Sequence, residues 1–228
     1  MLQQRDDRYK IVLNDVIGLL ETARRAAARS VNNIMTAVYW YVGRRIVEEE
    51  QGGKQRAEYG KELIARLSRD LSAKFGRGFS PDNLESMRLF YNAFPQEYIS
   101  EKLSRKSQDG VVAPPPSKSE TLSRKFNLAE ISGVLPLSWS HYVRLVRGAR
   151  SQQALDFYHR EALRGGWNVR QLNRQINSQF YERTALSRNK KELLRKGQIK
   201  HYDDTITPEE EIKNPLVLEF LGLKDNAV

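Results

Sequence analysis

Ala162-Leu163-Arg164-Gly165-Gly166-Trp167-Asn168-Val169-Arg170-Gln171-Leu172 is the stretch on which the fold turns. Its spacing is Ala-x3-Gly-x5-Leu, from Ala162 through Gly166 to Leu172. A small residue stands where two helices can cross closely, a glycine stands where the turn needs positive φ, and an aliphatic residue anchors the second helix. This is the pattern of a helix-turn-helix. Asn168 provides a cap for the second helix, and Leu172, Ile176 and Phe180 fall on its inward face. Trp167 is placed to plug the turn into the core. The match has two departures: Gly165 stands where such motifs usually carry an apolar residue, and Gln175 is polar where a core position is common.

Working upstream, residues 152–163 carry Leu155, Tyr158 and Ala162 on one helical face, and residues 138–148 carry Tyr142, Leu145 and Val146 on another. Further back the same periodicity dominates the first 95 residues, where no proline occurs before Pro81. Val31, Ile34, Met35, Val38, Tyr39, Val42 and Ile46 make one stripe that ends at Gly52 and Gly53. Residues 11–28 predict a preceding helix with Val12, Val16, Leu19, Leu20 and Ala23 inward. Leu63, Leu67, Leu71 and Phe75 define another helix stopping at Gly76, and Ser80-Pro81 opens a fourth with Leu84, Met87, Tyr91 and Phe94 inward. From Gln96 the pattern dissolves into Ser, Lys and Gln with the run Pro114 to Pro116, which predicts a flexible linker. No strand-like alternation and no internal repeat is present. The expected fold is therefore all-α, with two helical subdomains bearing helix-turn-helix-like hairpins: a packing or dimerising unit over 1–95, a linker over 96–126, a basic unit over 127–200, and a tail over 201–228.

Charge distinguishes the second unit. The 228 residues carry a net charge of +10, and all of that excess lies between Arg144 and Lys200, which holds 14 Lys/Arg against four Asp/Glu. Concentrated cationic charge on a short helical segment attracts a polyanion better than the same charge spread evenly, so the expected partner is nucleic acid, with double-stranded DNA favoured by the helix-turn-helix spacing. In that geometry the second helix enters the major groove and presents Arg170, Gln171, Arg174, Gln175 and Ser178 as candidate base readers, since Arg pairs with guanine and Gln with adenine. Arg164, Arg183, Arg188, Lys190 and Lys191 flank it as candidate phosphate contacts. Charge alone does not separate DNA from RNA, and a helical protein-interaction module with a solubilising basic segment is the alternative. A second hairpin, from Leu63 to Phe94, would expose Asp82, Asn83, Glu85, Ser86 and Arg88. Its carboxylates at the end that would approach phosphates argue for packing or homodimerisation, with Arg77 the one candidate for DNA contact.

Other chemistries find little support. Zero cysteines exclude disulfides and thiolate zinc sites. His141, His159 and His201 are scattered, and Gly52-Gly53-Lys54 lacks the spacing and the Ser/Thr of a phosphate-binding loop. Glu48 to Glu50 and Glu209 to Glu211 read as solvated charge runs. With 39% hydrophobic and 29% charged residues and no long apolar run, the expected setting is the cytoplasm, away from membranes.

Several blocks resemble the bacterial YhcG-like proteins: Tyr39-Trp40-Tyr41-Val42-Gly43-Arg44-Arg45-Ile46-Val47, Phe75-Gly76-Arg77-Gly78-Phe79-Ser80, Leu137-Ser138-Trp139-Ser140-His141-Tyr142 and Gly166-Trp167-Asn168-Val169-Arg170-Gln171-Leu172. The resemblance implies an N-terminal helical domain ahead of a PD-(D/E)xK nuclease domain. Pro215 to Leu223 resembles the lead-in to that domain, and the sequence ends at Val228, before the acidic and lysine positions that would bind Mg2+. The expectation is a module with no catalytic residue, metal site or cofactor of its own, which positions a cleavage domain on DNA. Fragment and natural truncation both fit the sequence.

Overall fold

Gly43 marks the point where the core is closest. A Cβ there would lie 2.0 Å from the Met87 carbonyl oxygen, so only glycine lets the two backbones approach this way. The computed structural model describes residues 2–52, 57–108 and 128–199. Among them are ten α-helices: α1 (Leu2–Gly52), α2 (Ala57–Phe75), α3 (Pro81–Ala93), α4 (Gln96–Gln108), α5 (Leu128–Val134), α6 (Trp139–Gly148), α7 (Gln152–Gly165), α8 (Val169–Asn177), α9 (Phe180–Leu186) and α10 (Lys190–Gly197). A short 3-10 turn, Arg77–Phe79, joins α2 to α3. The described residues contain no strand, as the periodicity indicated, and no helix long and apolar enough to cross a membrane.

Local signals set most boundaries. Ser80 accepts a hydrogen bond from the Asn83 amide, with Pro81 in the first turn of α3. Ser151 caps α7 through the Ala154 amide, and Asn189 caps α10 through that of Glu192. Three boundaries differ from expectation. The two helices expected in the first 52 residues are one continuous rod, because nothing between residues 28 and 31 breaks it. The helix expected from Asn168 to Phe180 stops at Asn177, and Gln179, in the left-handed region at φ 52°, starts α9 in a new direction. Gln96–Gln108, the first part of the expected linker, is helical as α4; its Ile99 is buried and Leu103 packs against the core. Residues 109–127 and the tail beyond Ile199 lie outside the described residues.

One apolar core unites elements from both sides of the expected linker. Trp139 of α6 sits edge-on to Tyr39 of α1 with centroids 4.9 Å apart, and Phe90 of α3 meets Tyr142 of α6 at 4.5 Å. Such aromatic pairs add to simple area burial. Polar groups lock the same seam: Trp40 Nε1 donates to the Phe94 carbonyl at 2.6 Å, and Trp139 Nε1 donates to Asn83 Oδ1 at 2.9 Å. The two expected subdomains thus share an interior. The outer half of α1 departs furthest from expectation. Val12, Val16, Leu19 and Leu20, read as inward, are exposed, Leu19 at 74%. Burial on α1 begins at Ala28, so the preceding turns project from the body.

Candidate nucleic-acid interface

The turn anticipated at residues 162–172 is built as its chemistry requires. Gly166 occupies the left-handed region at φ 57° and ψ 40°, conformations a side chain disfavours, and Trp167 N donates to the Ala162 carbonyl at 3.0 Å to close the end of α7. Asn168 Oδ1 accepts from the Gln171 amide at 2.7 Å and starts α8. The buried Trp167 ring lies over Gly165, where a Cβ would meet the indole Nε1 at 2.6 Å. This explains the glycine where an apolar residue is usual: the tryptophan fills that space instead. His141, pushed below its ordinary pKa by burial, makes ring-nitrogen contacts of 2.7 Å with Ser138 Oγ and 2.9 Å with the Trp167 carbonyl oxygen, tying α6 to the turn.

The outward face of α8 is narrower than the expected reading surface: Arg170 and Ser178 are exposed, Arg174 is half-buried, and Leu172, Ile176 and Phe180 face inward as read. Gln171 and Gln175, chosen for their suitability to adenine, are buried, Gln171 completely. Their amide nitrogens both donate to the Gly197 carbonyl oxygen, at 3.2 and 3.1 Å, and so cap the end of α10, which covers this side of α8. Ser178 is spent on the helix end: its hydroxyl donates to the Gln175 carbonyl and accepts from Arg183 at 3.1 Å. On the other side of α8, Arg170 and Asn177 are exposed and Arg174 is half-buried, while the Asn173 Oδ1 is enclosed. Asn177 was not among the candidates the sequence offered, because the glutamines drew the choice by residue type. Its place two turns along the same face from Arg170 is the signal that would have found it.

The flanking cations fall into separate groups. Arg164, at the end of α7, and Lys191 of α10 share a cleft of about 380 Å³ with Arg195 and Gln198. Arg195 was not among the expected contacts. Arg164 also pairs with Glu161 at 2.8 Å. Arg183 lies on α9, its guanidinium 5.8 Å from the Phe180 ring centroid, and Arg188 and Lys190 are exposed at the start of α10. Arg144 lines a second cleft, about 340 Å³, beside Val169 at the start of α8.

The hairpin of α2 and α3 serves another purpose. Asn83 and Ser86, expected outward, are drawn into the α3–α6 seam: Ser86 is buried and accepts from Arg147 at 2.9 Å, and Arg147 pairs with Asp82 at 2.8 Å. Arg88 pairs with Glu85 and Glu50. The Arg77 side chain lies outside the described residues. Among the described residues no group of three or more His, Asp or Glu could hold a metal ion.

Residues 15–183 match the DUF1016 N-terminal domain. The chain belongs to this family. Its DUF1016 N-terminal domain ends in α9, so the match covers the whole turn described above and stops short of α10. The chain is 45% identical over 222 residues to a protein of Escherichia coli (strain K12) named "Putative nuclease YhcG". That alignment takes in 95% of this chain and 57% of the relative, so the chain spans a little over half of that protein's length. No solved structure matches.

Proposed function

We propose that this DUF1016 N-terminal domain is the DNA-binding module of a nuclease, holding duplex DNA for a metal-dependent PD-(D/E)xK cleavage domain carried elsewhere in the full protein. The name of the Escherichia coli relative supports the association with nuclease activity. The observation that carries DNA binding is the built turn at Gly166 with Arg170 and Arg174 on the same side of α8, next to an α10 whose Lys191 and Arg195 gather with Arg164 around one cleft. With Gln171 and Gln175 committed to Gly197, the face offered to the groove is mainly cationic. The reading is therefore of phosphate positions more than of bases, and sequence preference should be weak. On this reading Mg2+ belongs to the cleavage domain.

The test is titration of a labelled duplex, a single strand and a structured RNA at two salt concentrations. With about six phosphates neutralised, log K should fall against log[salt] with a slope of roughly −5 on duplex DNA. Arg170→Ala with Arg174→Ala should weaken binding and make the slope shallower by about 0.9 for each phosphate left without its arginine. Salt-independent binding, or unchanged affinity in that double variant, would favour the second reading, a protein-interaction module. The exposed apolar rod of α1 speaks for that alternative.

A further inference from the structure

The projecting half of α1 carries a stripe spaced 4, 3, 4, 3 and 4 residues apart: Tyr9, Leu13, Val16, Leu20, Ala23 and Ala27. This is the heptad spacing of a helix that packs along another helix. The larger members are exposed, Tyr9 at 63% and Leu20 at 54%. Val12, Ile17 and Leu19 widen the stripe on either side and are exposed as well. The same line continues through Ile34 to Val38 and Tyr41, where α2 runs back beside it. At one end of that pairing the Tyr59 hydroxyl donates to Glu49, and just past the other end Phe79 meets Tyr39 with centroids 6.3 Å apart. However, α1 has 51 residues and α2 has 19, so α1 outruns its partner and, among the described residues, the outer stripe is left bare.

We propose that this stripe binds the same stripe of a second copy, antiparallel, so that the partner's arm extends the line of α2. Two features of the stripe choose that occupant. The first is size: covering the seven large side chains on this face would bury about 700 Å² per copy, roughly 1,400 Å² in total, within the range of stable dimers. The second is shape. Centred between Val16 and Leu20, antiparallel pairing sets Tyr9 against Ala27 and Leu13 against Ala23, large facing small, whereas parallel pairing would set alanine against alanine and leave a gap. This dimer is independent of the nucleic-acid reading.

Sedimentation equilibrium on the 228-residue chain between about 1 and 100 µM should show a dimer. Leu13→Glu with Leu20→Glu should weaken self-association at least about 100-fold, because four charges would be forced into one apolar seam. Far-UV circular dichroism should hold, since neither residue is in the core, and Thr22→Glu on the opposite face should change nothing. Because the chain has no cysteine, a mixture of Leu13→Cys and Ala23→Cys chains reports geometry directly: a disulfide should form between the two variants on mild oxidation, and in neither alone. A monomer at 100 µM would overturn the proposal. So would a dimer that survives the double glutamate variant, or Ala23→Cys chains that link to themselves in preference to the mixed pair.

Discussion

Gly165 and Gly166 are adjacent but needed for different reasons. Gly166 has open space where a Cβ would go and is required only for its left-handed backbone, while Gly165 is required because the Trp167 indole occupies the place of a side chain. Gly166→Ala should therefore cost about 1 kcal/mol. Gly165→Ala must move a buried ring and should cost more, about 2 kcal/mol; urea unfolding of both variants checks the order. His159 gives a second prediction at this scale. It is buried beside Phe94 and Tyr142, and burial lowers its pKa from 6.5 to about 4, with the Lys102 charge acting in the same direction. The unfolded chain takes up a proton below pH 6.5 that the folded chain resists. The contribution is therefore complete above pH 6.5 and is lost as pH falls toward 4, on the order of 3 kcal/mol in all. Comparing urea midpoints at pH 7.5 and 4.5, His159→Gln should lose less stability than the parent chain.

At the scale of the elements, α8 and α10 act as a unit, since the Gly197 carbonyl is held by two amides from α8. Gln171→Ala should loosen the end of α10 and destabilise the chain by about 1 to 3 kcal/mol while leaving discrimination between DNA sequences unchanged. A selective loss of preference for one sequence in duplex titrations would show instead that Gln171 reads a base. The Tyr158 hydroxyl has a similar place between α7 and α9. It accepts from the Tyr181 amide at 3.0 Å and contacts Glu182 Oε2 at 3.4 Å, and burial raises its pKa to about 12. Its role is to join helices, and it stays protonated at neutral pH.

For the whole molecule, the aromatic seam of Tyr39, Phe90, Phe94, Trp139 and Tyr142 makes the two halves interdependent. A piece spanning residues 127–200 alone would expose Trp139 and Tyr142 to water. It should show helical far-UV dichroism without the near-UV signal of packed aromatics, and the complete chain should unfold in one transition by both probes. Two separated transitions would show instead two independently folding subdomains. Helices, caps and the turn at Gly166 were legible in the sequence because they depend on residues within about four positions of one another. The concentration of positive charge between Arg144 and Lys200 was equally plain. The inward faces of α3, α6 and α7 were legible too, but which stretches of an apolar face find a partner was decided only by tertiary structure. Val16 and Leu20 look as inward-facing as Val38 and Val42, yet among the described residues they are exposed and lie outside the core. Gln171 looks like a reader of bases, yet a carbonyl 26 residues away claims its amide. Periodicity specifies a face, but burial needs a partner, and the partner is set by chain topology that no local spacing encodes.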